Sequence, residues 1–295
     1  MSYVFYPGCS LESTAKEYAL STTAVSAALG LDMPELPDWT CCGSTAAHQT
    51  DALLALALPA KNLAAAAGNT IAVACAACYS RLKLANHEIA GDAENRARVA
   101  DALGADYDGS TPVKHLLEVL RDDVGFDAIS GRVSKPLAGL RVAAYYGCLL
   151  LRPPSVMRFD DPENPTLLDR VVAATGAEPV DWPAKTECCG ASYSITKTEI
   201  VLRLSHGILA AARDAGADCI ATACPLCQLN LDMRQRDIEK RERERFGLPV
   251  FYFTQLLGLA LGLPSRELGL RNLLVDPMPL LSRSGLMSTE KAAAR

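Results

Sequence analysis

Residues 71–78 read IAVACAAC, and residues 220–227 read IATACPLC. In both segments a run of small and β-branched apolar residues ends at a Cys-x-x-Cys pair. Such a short apolar run is typical of a buried strand, so the cysteines would lie where a strand ends and a helix begins. Because the same pattern occurs twice, the two halves of the chain are predicted to be repeats of one arrangement.

The repeat includes three cysteine motifs in each half: a single cysteine after YPG or YYG, then Cys-Cys-Gly, then Cys-x-x-Cys. Ten of the eleven cysteines belong to it. The N-terminal set is Cys9, Cys41, Cys42, Cys75 and Cys78, and the C-terminal set is Cys148, Cys188, Cys189, Cys224 and Cys227. Gaps of 31 and 32 residues separate the motifs of the N-terminal set, and gaps of 39 and 34 residues those of the C-terminal set. Chance is a poor explanation for this order.

Helical patterns alternate with the predicted strands. Residues 13–29, 51–68 and 198–216 have helical periodicity, and YVFYP (3–7) and RVAAYY (141–146) read as strands before the first cysteine of each set. Alternating strands and helices imply crossover connections and a mostly parallel sheet. Since the carboxyl ends of parallel strands share one edge, each set should converge there, near helix N-termini that favour thiolates. We predict an α/β fold class with mostly parallel sheets and flanking helices.

The join between the repeats is predicted near residues 126–140, where helical periodicity is lost and Gly and Pro occur. We expect an N-terminal domain at 1–135, a C-terminal domain at 136–283 and a loose tail at 284–295.

Composition limits the classes of function. The chain has 295 residues, 49% of them apolar, and a formal net charge of −5, so it can bury a full core and has no basic surface that would favour nucleic acid. Residues 1–10 do not resemble a signal peptide, and the apolar stretch 253–263 is too short for a membrane span. We expect a cytoplasmic protein with no membrane span. In that reducing compartment, eleven cysteines indicate metal or redox chemistry rather than disulfides.

Five thiols in each half do not match the commonest metal sites. Structural zinc takes four ligands, and cubane and rhombic iron–sulfur clusters also take four. Five thiolates therefore suggest either a four-ligand cluster with a spare thiol or a larger, irregular cluster with a bridging thiolate, and both alternatives stay open. A scaffold held together by structural zinc is disfavoured, because each half has five thiols and zinc takes four ligands.

The chain resembles the B-type subunit of heterodisulfide reductase, whose cysteine-rich CCG domains have the same doubled pattern. The resemblance covers roughly residues 3–282. It is carried by FYPGCSLESTAKEYALS (5–21), YYGCLLLRPPSVMRFDDPENP (145–165), PVDWPAKTECCGAS (179–192), CPLCQLNLD (224–232) and LLVDPMPLL (273–281). It implies two CCG domains related by pseudo-twofold symmetry. Each would carry a non-cubane [4Fe-4S] cluster, one on the N-terminal set and one on the C-terminal set.

The resemblance also implies an oxidoreductase acting on sulfur groups, as the catalytic subunit of a heterodisulfide reductase-like complex. It would reduce, or in reverse form, a disulfide or related sulfur species, with one electron and one sulfur per cluster. The implied partners are a small iron–sulfur subunit with cubane [4Fe-4S] clusters, a flavin subunit of the same complex, and a disulfide, a thiol or a lipoyl-carrying protein as substrate. A homologous complex in sulfur oxidisers is a related possibility.

The alternative is an electron-transfer iron–sulfur subunit of a flavin- or quinone-linked oxidoreductase. CCG domains also occur in glycolate and lactate oxidation proteins and in thiol-dependent fumarate reductases. The resemblance is therefore compatible with this alternative as well.

Among the other side chains, His48, Arg152 and Lys197 are weaker candidates for substrate contact, because solvated or paired surface side chains explain them more simply. The run 234–245 mixes basic and acidic residues and predicts an exposed helix face. The remaining residues of interest are expected to be structural, with Cys219 a buried inert thiol: Cys219, His87, His115 and His206.

Overall fold

The computed structural model describes residues 2–44 and 46–286, and the chain forms two parallel sheets in that part. The strands are β1 (Tyr3–Tyr6), β2 (Thr70–Val73), β3 (Val113–His115), β4 (Arg141–Tyr145), β5 (Glu178–Pro179), β6 (Cys219–Thr222) and β7 (Val250–Tyr252). Their order is β1-β2-β3 in the first sheet and β5-β4-β6-β7 in the second, with all neighbours parallel. A parallel bridge between Phe5 and Glu35 takes the place of β5 in the first half. Both sheets therefore have the same order.

Helices cover the sheets. In the first half they are α1 (Gly8–Glu12), α2 (Lys16–Leu29), α3 (Ala47–Thr50), α4 (Ala52–Ala64), α5 (Ala76–Gly91), α6 (Ala93–Leu103), α7 (Leu116–Val119) and α8 (Phe126–Gly131). In the second half they are α9 (Pro154–Met157), α10 (Leu167–Ala174), α11 (Thr198–Asp214), α12 (Pro225–Met233), α13 (Gln235–Glu242), α14 (Phe253–Ala260) and α15 (Met278–Arg283). A π-helical turn at Leu120–Val124 and 3₁₀ turns at Ala191–Tyr193 and Leu270–Asn272 complete the helical segments.

The central strands are buried along their whole length. All four residues of β2 and all four of β6 are buried, as expected of parallel strands covered by helices on both faces. This explains why the two opening segments are continuous apolar runs rather than alternating patterns. The predicted α/β class with two repeated, mostly parallel sheets is confirmed.

The two halves pack through reciprocal helix contacts. Helix α14, which follows β7, packs on α2 of the first half, and α7, which follows β3, packs on α10 of the second half. Ser21 and Thr254 share a buried hydrogen bond of 2.7 Å across the first of these contacts. A single hydrophobic core includes buried residues of both halves. Since α2 and α10 occupy the same position in their repeats, the contacts follow a pseudo-twofold relation.

Three expectations about local structure have different outcomes. Helix α8 lies inside the join predicted at 126–140 to lack helical structure, with Ile129 buried in the core. The run 234–245 contains α13, but Gln235 and Ile238 on that helix are buried, so its surface is exposed on one side. Within the expected tail, Ser284 to Leu286 follow α15, and residues 287–295 lie outside the described residues.

Candidate metal centre

Strand ends position the cysteines. In the first half, Cys9 lies in α1, directly after β1, and Cys75 is the N-cap of α5, directly after β2. In the second half, Cys148 follows β4, and Cys224 is the N-cap of α12 after β6. The parallel sheets thus bring cysteines that are distant in sequence to one edge.

The thiols form the same pairs in both halves. The first cysteine of each Cys-Cys-Gly lies beside the single cysteine, and the second lies beside the last cysteine of Cys-x-x-Cys. The Sγ–Sγ distances are 3.7 Å for Cys9–Cys41, 3.4 Å for Cys42–Cys78, 3.9 Å for Cys148–Cys188 and 3.5 Å for Cys189–Cys227.

The two sets meet at the interface between the halves. Cys75 and Cys224 begin the two Cys-x-x-Cys motifs, and each thiol shifts the pKa of the other across the interface. The neighbouring Cys224 thiol is the main cause of the raised Cys75 pKa, whereas the Cys227 and Cys75 thiols lower the Cys224 pKa. The ten thiols therefore belong to one continuous region of the molecule.

Other hydrogen bonds favour the thiolate form at selected cysteines. The pKa of Cys42 is lowered well below its usual value by the neighbouring Cys41 and Cys78 thiols, with smaller effects from the Ser44 backbone N–H and the Arg81 charge. The pKa of Cys188 is lowered to about 6 by the Cys148 thiol, with help from the Gly190 backbone N–H at 3.3 Å. Since the thiolate is the form that binds metals, this environment suits metal ligation.

A buried tyrosine supports each Cys-Cys loop. The Tyr6 hydroxyl donates to the Thr40 carbonyl at 2.7 Å, and the Tyr145 hydroxyl donates to the Glu187 carbonyl at 2.7 Å. Each accepting residue directly precedes its Cys-Cys pair. The shared text YPGC and YYGC contained this signal, but our sequence reasoning considered the cysteines and not the tyrosines.

Two glycines leave room for sulfur. Gly8 and Gly147 have φ angles of +68° and +65°, a region that disfavours side chains. A Cβ atom would lie 2.9 Å from Cys78 Sγ at Gly8 and 3.2 Å from Cys227 Sγ at Gly147. Both positions therefore require glycine beside a thiol.

The donor set fits iron–sulfur chemistry. Within residues 2–44 and 46–286, no three His, Cys, Asp or Glu side chains are grouped to hold a single metal ion. Four thiols in each half lie instead in two pairs, with Cys75 or Cys224 as the fifth, and a glycine whose missing side chain leaves space for sulfur lies beside one pair. Cysteine thiolates are the usual ligands of iron–sulfur clusters.

The C-terminal site contains a five-residue strap, Pro183–Glu187, where the N-terminal site has Thr40 alone between the tryptophan and the Cys-Cys pair. The Lys185 carbonyl accepts from the Tyr146 and Gly147 N–H groups at 2.9 and 3.1 Å. The Lys185 ammonium forms an ion pair with the Asp169 carboxylate at 2.9 Å. The longer gap of 39 residues was the sequence signal for this strap.

A small cavity opens beside the C-terminal thiols, and it is lined in part by Tyr146, Leu149, Ser192 and Leu226. Of the C-terminal set, Cys188 is exposed and Cys148 is half-buried. In the N-terminal set, Cys9 and Cys41 are exposed. Both sets can therefore be reached from outside.

The weaker candidates lie at the surface. Arg152 forms an ion pair with Glu163 at 3.0 Å, and Lys197 is exposed at the N-cap of α11. His48 is exposed on α3, and its pKa is lowered by partial burial and by the Arg81 charge. Within the described part of the chain, no hydrogen bond joins these three side chains to a thiol, and their role in substrate contact stays a prediction.

Of the residues expected to be structural, Cys219 and His115 are buried, His206 lies 3.6 Å from the Glu244 carboxylate, and His87 is exposed on α5. Cys219 is fully buried, and burial raises its pKa. His115 is also fully buried, with Nε2 2.8 Å from the Ala74 carbonyl and Nδ1 accepting from the Leu117 N–H at 3.2 Å. It thereby ties the end of β3 to the residue before Cys75, a position that the sequence alone did not reveal.

Comparison with known proteins identifies the family of the repeat. The family described as "Cysteine-rich domain", CCG, matches residues 3–83 and 142–232. These two ranges contain all ten cysteines of the two sets.

Three relatives align with most of the chain. The 8-methylmenaquinol:fumarate reductase membrane anchor subunit of Wolinella succinogenes is 35% identical over 94% of this chain and 98% of its own length. The B-type subunit of the ferredoxin/F(420)H(2)-dependent CoB-CoM heterodisulfide reductase of Methanosarcina acetivorans is 32% identical over 94% of this chain and 95% of its own length. An Archaeoglobus profundus protein, described as similar to the B-type subunit of heterodisulfide reductase, is 28% identical over 89% of this chain and 91% of its own length.

A solved structure supports the fold. A hypothetical protein from Helicobacter pylori superposes with a TM-score of 0.73 at 12% identity, and the match covers 93% of this chain and 53% of that one. This chain therefore spans about half of that solved chain. In the part of the chain that the structure describes, no helix has both the length and the apolar character to cross a membrane. From the doubled match and the relatives, this chain belongs to the CCG cysteine-rich domain family, in which it is a homologue of the B-type subunit of heterodisulfide reductase.

Proposed function

We propose that this chain is the disulfide-handling iron–sulfur subunit of a heterodisulfide reductase-like complex. The N-terminal and C-terminal sets would each hold one non-cubane [4Fe-4S] cluster, with the repeats bounded at 1–135 and 136–283. The homologues named as B-type subunits of heterodisulfide reductases support an oxidoreductase subunit with iron–sulfur clusters. The five-thiol composition of each set supports the choice of a cluster that is not an ordinary four-ligand cubane.

The observation that carries this proposal is the same pairing of thiols in both halves, with Cys75 and Cys224 near each other across the interface. Cleaving a disulfide to two thiols takes two electrons and two protons, whereas an iron–sulfur cluster ordinarily passes one electron at a time. When bound, the two clusters would supply one electron each and Lewis-acidic iron for the two sulfurs. The pseudo-twofold packing would let a disulfide between the sets present one sulfur to each side.

The side chains around the thiols have positioning tasks in this proposal. Tyr6 and Tyr145 hold the two Cys-Cys loops, so the first and second ligands of each pair keep a fixed direction. Gly8 and Gly147 leave the space that sulfur needs. Leu149 and Leu226 would limit water in the cavity beside the C-terminal set.

We propose that electrons come from a small subunit with cubane [4Fe-4S] clusters and, behind it, a flavin subunit. The substrate would be a disulfide, a thiol or a lipoyl-carrying protein. Support for a multisubunit complex comes from the relatives, whose names describe them as subunits.

A second candidate is an electron-transfer subunit of a quinone-linked oxidoreductase. The similarity to the 8-methylmenaquinol:fumarate reductase subunit, at 35% identity over nearly the whole chain, favours it. In that case the two centres would relay electrons to a partner and would not act on a disulfide.

The test is to purify the chain anaerobically and measure iron, acid-labile sulfide and zinc. We expect about eight irons and about eight sulfides per chain for two four-iron clusters. The reduced protein is then mixed with organic disulfides and an artificial one-electron donor, and free thiols are measured. Stoichiometric zinc without labile sulfide would refute the cluster proposal. Reducible clusters without thiol production would favour the electron-relay candidate.

A further inference from the structure

Asn230 is a fully buried side chain that touches a thiol of the C-terminal set. It lies on α12, three residues after Cys227, and none of its surface is exposed. Its Nδ2 donates to Cys189 Sγ at 3.6 Å and to the Cys189 carbonyl at 3.2 Å. Its Oδ1 accepts from the Ser194 hydroxyl at 2.9 Å. Both ends of the amide are therefore fixed, and its N–H group is directed at one sulfur.

The N-terminal set has a different residue at the same place. Three residues after Cys78 stands Arg81, whose side chain is half-buried. Among the hydrogen bonds of residues 2–44 and 46–286, none joins the Arg81 side chain to a thiol. The corresponding thiols Cys189 and Cys42 therefore differ, because within the described residues only Cys189 accepts from a side-chain amide.

The fully buried asparagine of the N-terminal half serves another purpose. Asn62 accepts from the Thr40 N–H at 2.7 Å and donates to the Thr40 and Leu58 carbonyls at 3.0 and 3.1 Å. All of these partners are backbone groups. Asn62 therefore holds the loop before its Cys-Cys pair, whereas Asn230 contacts the pair itself.

A directed N–H donor has a predictable effect on a thiolate-ligated centre. Reduction adds negative charge, and a hydrogen bond to a ligand sulfur stabilises that charge, so the reduction potential rises. The effect is stronger in a buried site, where water does not screen the N–H dipole.

We propose that Asn230 is a positioning residue that raises the reduction potential of the centre held by the C-terminal set. The N-terminal set has no such side-chain amide donor on a thiol among the hydrogen bonds of the described residues. This inference rests on the proposed clusters, but it is independent of which substrate they reduce.

The experiment is a redox titration of the cluster-loaded protein, followed by electron paramagnetic resonance. A Cys78→Ala background assigns the signal of the C-terminal centre. For Asn230→Leu, which keeps the volume and removes the donor, we expect reduction of the C-terminal centre to become about tenfold less favourable, or about 59 mV lower for one electron. The N-terminal centre should keep its potential. The matched control is Asn62→Leu, which removes an equally buried asparagine that contacts no thiol and should leave the C-terminal potential unchanged.

Ser194→Ala provides a second variant, because it releases the Asn230 amide without removing it. We expect a smaller shift in the same direction. An unchanged C-terminal potential in Asn230→Leu, or equal shifts of both centres, would overturn the inference. If Asn230→Leu loses its cluster, Ser194→Ala decides, since an unshifted potential there overturns the inference as well. A wild-type protein without clusters would overturn the proposed function, whereas two titrating clusters with no shift in the variants would overturn this inference alone.

Discussion

The N-terminal and C-terminal sites pair their thiols in the same way, but the buried asparagine of each site holds a different part of the Cys-Cys loop. In the N-terminal site, Asn62 holds Thr40, the residue before the Cys-Cys pair. In the C-terminal site, Asn230 holds Cys189 within the pair and Ser194 after it. The difference teaches that the repeat preserves the thiol geometry and the tyrosine bond to each Cys-Cys loop, while the asparagine contacts differ between the halves.

The strap Pro183–Glu187 is a second difference between the sites. Lys185 and Asp169 form its ion pair with side-chain exposures of 9% and 14%. The Asp169 carboxylate also accepts from the Tyr146 hydroxyl, which in turn accepts from the Leu168 N–H at 2.8 Å. The C-terminal site is therefore braced by a buried charged network, and the N-terminal site has Thr40 in place of that strap.

The largest expected effect tests whether the two sites are independent as metal sites. Cys78→Ala removes a ligand of the N-terminal set, and we expect loss of about half of the iron and sulfide. Cys227→Ala should cause the same loss from the C-terminal set. Metal analysis and electron paramagnetic resonance of each anaerobic variant measure this, with Cys219→Ala as the control because that buried thiol lies outside both sets. Loss of all iron in Cys219→Ala would contradict our assignment of Cys219 as a buried thiol outside both sets.

The second-largest expected effect tests the Lys185–Asp169 ion pair of the C-terminal site. Lys185→Met keeps the side-chain length but leaves the Asp169 carboxylate without its cation in a largely buried position. Breaking such a pair costs about 3 kcal/mol of the free energy of unfolding. Anaerobic denaturant unfolding measures the loss, and the C-terminal site should lose its iron before the N-terminal site.

Arg152→Met is the control for that variant, because its partner Glu163 is exposed and the pair should contribute little. An equal loss of stability in both variants would show that the strap is not specially braced.

A smaller effect compares the two glycines beside thiols. Gly8→Ala and Gly147→Ala both place a side chain at positive φ, which costs about 1–2 kcal/mol. Gly8→Ala should be the worse of the two, because its Cβ would lie 2.9 Å from sulfur rather than 3.2 Å. Unfolding free energies and iron retention of the two variants measure the difference. Gly104→Ala is a control at φ +66° with no atom within 4 Å of the added Cβ. If Gly8→Ala loses no more stability than Gly104→Ala, its contact with Cys78 is not important.

Repetition made much of the fold and the cysteine sets predictable. Strands next to Cys75 and Cys224 were expected from apolar runs that appear twice, and β2 and β6 confirm them. The segments 13–29 and 198–216 contain helices α2 and α11, as their periodicity predicted. Periodicity predicts these elements because they depend on the local sequence.

The remaining features depend on contacts between distant residues. Strands β3, β5 and β7 have two or three residues each, too few for a periodic signal. The Cys75–Cys224 interaction depends on the packing of α14 on α2 and of α7 on α10, which cysteine spacing does not specify. Asn230 belongs to the quoted segment CPLCQLNLD, but its bond to Cys189 requires two segments 41 positions apart to meet.

The most direct test of the central claim is disulfide turnover by single-site variants. If the two sets act together on one disulfide, losing either centre should abolish two-electron turnover, because the remaining centre supplies one electron. Cys78→Ala and Cys227→Ala are therefore assayed anaerobically for thiol production with an artificial one-electron donor, with Cys219→Ala as the control. We expect no turnover in either single-site variant, while the surviving centre still accepts one electron. Half of the native rate, or a near-native rate, in either variant would contradict joint action and favour an electron relay.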